Sequence, residues 1–147
     1  MILLDTNIVS EPLKSAGNTN VLAWIDAQII ESLYLSTITL AELRFGIAAL
    51  PEGKRRDTLH FGLEQRILPL FNGRILAFDD AASKSYAALR ARARTAGLAI
   101  APADGYIAAI AATHGFAVAT RDTSPFEAAG LMVINPWTWP SSHSRNR

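Results

Sequence analysis

The sequence contains no cysteine. That absence excludes thiol nucleophiles, disulfide bridges and Cys-ligated zinc together, and it suits a reducing cytoplasm, the compartment expected for this chain. Long apolar runs are also missing: none approaches the roughly 20 residues that span a bilayer. Asp5 and Glu11 interrupt the N-terminal segment before the apolar stretch of a leader forms, so neither secretion nor membrane insertion is expected. Nor is there an excess of one charge. Fourteen Lys and Arg against thirteen Asp and Glu leave a net charge of +1, too little to grip nucleic acid by bulk electrostatics. A local basic rim stays open. Lys54, Arg55 and Arg56 form one cluster and Arg90, Arg92 and Arg94 another. Arg90 and Arg94 share a helical face while Arg92 points elsewhere, and both clusters read as solvated helix surface. His60, His114 and His143 have no metal-ligand spacing, no Gly-x-Ser-x-Gly elbow occurs, and no glycine-rich loop has phosphate-binding spacing.

What is present is an alternation of short apolar runs and helical stripes. With 147 residues, half of them apolar, the chain has the size of one domain with its own core. That domain is expected over residues 1–139, followed by a polar, basic and disordered tail over 140–147. Strands are expected at 2–4, 33–36, 74–78, 116–120 and 131–134. Helical patterns fill 7–13, the stripe around Val21, Trp24 and Ile25, 39–50, 54–68, a stretch capped by Asp79 or Asp80 and stopped by Gly97, and 102–114 stopped by Gly115. Ser124-Pro125-x-Glu127 reads as a capping box opening a last short helix. Strands separated by helices imply parallel βαβ units, hence an α/β fold: a three-layer α/β/α sandwich around a parallel sheet of about five strands.

Four carboxylates fall where the chain leaves a strand or enters a helix: Asp5, Glu42, Asp104 and Asp122. With parallel strands, all four ends lie on one edge of the sheet. Four anions gathered there repel one another unless a cation intervenes, and a hard divalent ion such as Mg²⁺ fits that need. Each acid also has a purely structural reading. Asp5 caps the first helix, Glu42 completes a Thr39-x-x-Glu42 capping box, Asp104 sits at the positive end of its helix, and Asp122 forms an Asx-turn before Ser124. Convergence of all four on one edge is what separates the readings. Thr6, Ser36, Thr39 and Thr120 lie near the same edge and can orient carboxylates or metal-bound water, or serve only as strand and cap residues.

Ile2-Leu3-Leu4-Asp5-Thr6-Asn7, Ser36-x-x-Thr39-x-x-Glu42-Leu43, Ala103-Asp104-x-x-Ile107-Ala108-Ala109 and Thr120-Arg121-Asp122 resemble, in order and spacing, the motifs of PIN-domain proteins. They look most like the VapC toxin group, and Asn135-Pro136-Trp137 adds a likeness to its FitB-like branch. The resemblance spans about residues 1–139. It implies the toxin of a type II toxin–antitoxin pair, a ribonuclease dependent on Mg²⁺ or Mn²⁺ that hydrolyses RNA phosphodiester bonds. It further implies a homodimer and a small antitoxin that blocks the site and binds DNA as a dimer. Carried over, Asp5 and Asp104 are the metal ligands, Glu42 completes the acidic site and Asp122 is its fourth acid. One departure stands out: many relatives have Asn where Asp122 stands, then an Asp before Phe, where this chain has Pro125 before Phe126.

Two rivals follow from the same residues. A weakly catalytic or non-catalytic module would dimerise and bind a DNA-binding antitoxin. A haloacid-dehalogenase-type phosphatase would need a second Asp two residues after the first, where Asn7 stands. For dimerisation, Leu43, Phe45, Ile47, Leu59 and Leu63 exceed one core-facing stripe and are expected to cover a two-fold interface or, alternatively, to pack into the core.

Overall fold

A computed structural model describes residues 1–140. Its centre is a parallel sheet of β1 (Ile2–Leu4), β2 (Leu33–Ser36), β3 (Ile75–Leu76), β4 (Ala117–Ala119) and β5 (Val133–Ile134), in the order β3-β2-β1-β4-β5. The chain winds one way through β3 and the other through β5, so β1 and β4 meet where the winding reverses. In open parallel sheets, a crevice for ligands forms outside the carboxyl ends at that point.

Alternation along β1 separates the two faces. Leu3 points to one core, shared with Val118 and with α5 (Asp80–Thr95), α6 (Pro102–His114) and α7 (Ser124–Ala128). Leu4 points to the other, shared with α1 (Thr6–Ser10), α2 (Thr19–Ala27), α3 (Thr37–Ala48) and the segment opened by α4 (Lys54–Phe61). The layers are thus α/β/α, as expected. Five of the residues buried in the first core are consecutive, Ile107 to Ala111, because α6 lies directly on the sheet with small side chains that let its backbone approach.

Most boundaries follow local chemistry. Asp79 caps α5, its Oδ1 accepting from Ala82 N at 2.9 Å, and Gly115 ends α6 at φ 69°, a left-handed conformation cheap only for glycine. Three differences from expectation have physical causes. The helix after β2 starts at Thr37, two residues early, because Ser36 Oγ accepts from Thr39 N at 3.1 Å and is itself the cap. α7 is capped by Thr123 without a side-chain bond, so the Ser124 capping box does not form. The 54–68 helix loosens into a π-turn (Gly62–Ile67) and a 3-10 turn (Leu68–Phe71), since Pro69 supplies no N–H and disfavours α geometry just before it. The two outer strands are only two residues long.

The proposed interface helices are mostly core. Leu43, Ile47 and Leu63 are buried and Leu59 packs against them, whereas Phe45 is 74% exposed. No helix among the described residues is long and apolar enough to cross a membrane. The tail expected over 140–147 lies, beyond Pro140, outside the described residues.

Candidate active site

Asp5 is the first residue beyond β1, and its backbone N–H still pairs with Ala119 O at 2.9 Å. Asp5 is only 6% exposed, and its carboxylate is held on both oxygens. Oδ1 accepts from Thr6 N and Oδ2 from Thr120 Oγ1, each at 2.8 Å. Burial, chiefly, pushes its pKa up to about 6 despite those two bonds, and the negative charges of Asp104 and Glu42 push in the same direction.

The other acids arrive from different elements. Glu42 is in the second turn of α3, and its Oε1 accepts from Thr6 Oγ1 at 2.8 Å. The capping box with Thr39 is therefore not made: the Thr39 backbone N–H already belongs to Ser36, and Glu42 reaches across to the first residue of α1 instead. Asp104 lies in the first turn of α6 and makes no capping bond. Its pKa is raised by partial burial and then by Asp122 and Glu42. Asp122 follows β4; its Oδ1 accepts from the Ser124 hydroxyl at 3.4 Å, a side-chain contact in place of the backbone bond that the expected Asx-turn would make. The four acids thus face one another electrostatically across the carboxyl edge of β1, β2 and β4. Among the described residues, however, no three acidic or histidine side chains are placed to enclose an ion by themselves.

The hydroxyls divide by role. Thr120, fully buried, donates to Asp5 while accepting from Asp122 N at 3.2 Å and Asn7 Nδ2 at 3.4 Å. Thr6 secures Glu42 and lies 3.4 Å from buried Thr39 Oγ1. Ser36 touches no acid; it acts through the start of α3. Asn7 is a residue that motif reading quoted but left without a role. It joins the β1 and β4 ends, since its Oδ1 also accepts from Arg121 N at 3.3 Å. Its position two residues after a strand-terminal acid was the available signal.

An open groove of about 370 Å³ starts at Asp104 and Asp122 and is walled by Leu98, Ala99, Pro125 and Ala128. A larger cavity of about 740 Å³ lies between α3 and α4, but none of the four acids lines it. The donor set suits a hard cation: only carboxylate and hydroxyl oxygens converge, with no Cys or His. Mg²⁺ keeps several waters and needs only one or two direct carboxylates, so the spacing of the acids is compatible with it.

A family model for the PIN domain matches residues 2–131. The chain belongs to the PIN-domain family. It is 64% identical over 137 residues to a VapC ribonuclease, Y4jK, of Sinorhizobium fredii, covering 93% of this chain and 98% of that one. It is 57% identical to Toxin FitB of Neisseria gonorrhoeae, covering 93% and 99%. Among solved structures, FitAB bound to an IR36 DNA fragment superposes with a TM-score of 0.92 at 54% identity, covering 97% of this chain and all of that one. A strand-terminal Asp followed by Thr-Asn is thus read here in a PIN domain rather than in a phosphatase.

Proposed function

We propose that this PIN domain, spanning residues 1–139, is the toxin of a type II toxin–antitoxin pair, a cytoplasmic ribonuclease that hydrolyses RNA phosphodiester bonds with Mg²⁺ or Mn²⁺. The observation that carries this reading is a buried carboxylate, Asp5, set among further acids at the sheet edge of a chain 64% identical to a VapC ribonuclease. Asp5 and Asp104 would hold the ion directly, with Glu42 and Asp122 completing the acidic edge. When bound, such an ion supplies Lewis acidity, stabilises charge on the reacting phosphate and makes bound water a better nucleophile.

The chain's own residues provide preorganisation. Thr120 and the Thr6 N–H fix both oxygens of Asp5, Thr6 Oγ1 fixes Glu42, and the Ser36 cap fixes the start of α3. Asp5 must be ionised to serve as a ligand, and its elevated pKa makes cation binding compete with a proton near neutrality. Cleavage of a labelled RNA with Mg²⁺ or Mn²⁺ tests the reading. Wild type should cut, whereas Asp5→Asn and Asp104→Asn should lose most activity; equal activity in parent and variants would overturn the assignment.

A second reading is favoured by the fit to the DNA-bound FitAB complex: a homodimeric regulatory module that holds a DNA-binding antitoxin, with catalysis weak or absent. RNA cleavage by the antitoxin-free chain separates the two.

A further inference from the structure

Four carboxylates on one edge repel polyphosphate as they attract a cation, so a nuclease built on them needs positive groups beside them. Two exposed arginines flank that edge, each laid over an aromatic ring. Arg121 lies between Thr120 and Asp122, with its guanidinium carbon 5.2 Å from the centre of the Trp137 ring. Trp137 is itself anchored: its N–H donates to Asn135 Oδ1 at 3.0 Å, its carbonyl accepts from Asn20 Nδ2 at 2.8 Å, and its ring packs on the α1–α4 core. Arg90, on α5, has its guanidinium carbon 5.4 Å from the Tyr86 ring and donates from Nη1 to the Tyr86 hydroxyl at 2.7 Å. Tyr86 in turn stacks on Tyr106 of α6, with centroids 4.8 Å apart and planes 21° from parallel.

The Arg90 stem passes beside Gly105, the residue after Asp104. A Cβ at the neighbouring Gly105 would stand 3.5 Å from Arg90 Cδ and 2.9 Å from Tyr86 Cε2. Among the described residues neither Arg90 nor Arg121 forms an ion pair, in contrast to Arg44, which is paired with Glu64 at 2.9 Å. Their braces also come from opposite faces of the sheet: Tyr86 packs with the α5–α6 core and Trp137 with the α1–α4 core. An arginine laid on a ring is ordered in advance and keeps most of its N–H donors free for phosphate.

We propose that Arg90 and Arg121 are the phosphate-binding residues for RNA, gripping the backbone on either side of the acids. The strand then crosses the carboxyl edge from the α5–α6 layer to the α2 layer, with the scissile phosphate over Asp5 and Asp104. This rests on the ribonuclease reading and adds the path of the substrate. Arg92, on α5, is not laid over an aromatic ring among the described residues and takes no part.

The test is fluorescence anisotropy of a labelled single-stranded RNA of mixed sequence with the full chain in EDTA, across 50 to 200 mM salt, beside RNA cleavage with Mg²⁺. Each single phosphate contact contributes about 0.7 to the slope of log affinity against log salt. Arg90→Gln and Arg121→Gln should each flatten the slope by about that amount, the double variant by about twice it, and Arg92→Gln not at all. Unchanged slopes for Arg90→Gln and Arg121→Gln, with wild-type cleavage intact, would overturn the clamp alone, as would an equal loss in Arg92→Gln. A wild type that neither binds nor cuts RNA would overturn the ribonuclease reading and the clamp together.

Discussion

Thr120 donates its hydroxyl hydrogen to Asp5 Oδ2 at 2.8 Å, joining residues 115 apart in sequence across neighbouring strands. Both side chains are nearly or wholly buried, so neither has ready water to replace the other. Thr120→Val should cost about 1–2 kcal/mol of stability, because a buried acceptor is left unpaired. It should also weaken divalent-ion affinity by about 10- to 100-fold, the usual effect of removing a partner behind a ligand. Thr120→Ser should restore both. Urea unfolding and a Mg²⁺ titration of cleavage check the pair.

Asp5 makes stability depend on pH in an unusual direction. Its native pKa of about 6 lies above the ordinary 3.8, so between those values the folded chain holds a proton that the unfolded chain releases. The stability carried by that proton is full below pH 3.8, falls as pH rises, and is gone above about 6. The ionised group then costs up to about 3 kcal/mol. Asp5→Asn should therefore raise the melting temperature in EDTA at pH 7.5, with the gain shrinking towards pH 4. Added Mg²⁺ should stabilise the wild type and leave the variant where it was. A variant that melts below wild type throughout would contradict this account.

Thr6→Val separates positioning from folding. The Thr6–Glu42 bond is exposed, so its loss should change stability by less than about 0.5 kcal/mol. With Glu42 released from α1, cleavage should fall at saturating RNA while the unfolding curve stays in place. Single-turnover rates beside thermal melts provide the comparison.

Gly105→Ala tests the contact between α5 and α6 beside Asp104. In an open helix this change gains up to about 1 kcal/mol. Here the new methyl carbon would meet Tyr86 Cε2 at 2.9 Å, so the Tyr86 ring or the helices must shift, at a cost of about 1–3 kcal/mol. Lower stability together with lower activity is the expected result, and a stabilised, fully active variant would show that Tyr86 yields freely.

The sequence disclosed the layers more fully than the site. Ile2–Leu4 and the Gly115 stop were legible because an apolar run and a left-handed turn are local properties. The exchange of Glu42 from capping Thr39 to bonding Thr6 was not, since it depends on Ser36 reaching Thr39 N first and on β1 lying beside β2. Asn7 escaped for the same reason: its partners, Thr120 and Arg121, are more than a hundred residues away. The apolar surplus on α3 and α4 was ambiguous until their packing was known. Leu43, Ile47 and Leu63 entered the core and left Phe45 outside.

The pairing of β1 with β4 also orders events in time. Thr120 is translated 115 residues after Asp5, and β1 stays open on one side until β4 docks. A ribosome therefore carries this polypeptide with its blade unassembled throughout the stretch of synthesis that separates β1 from β4.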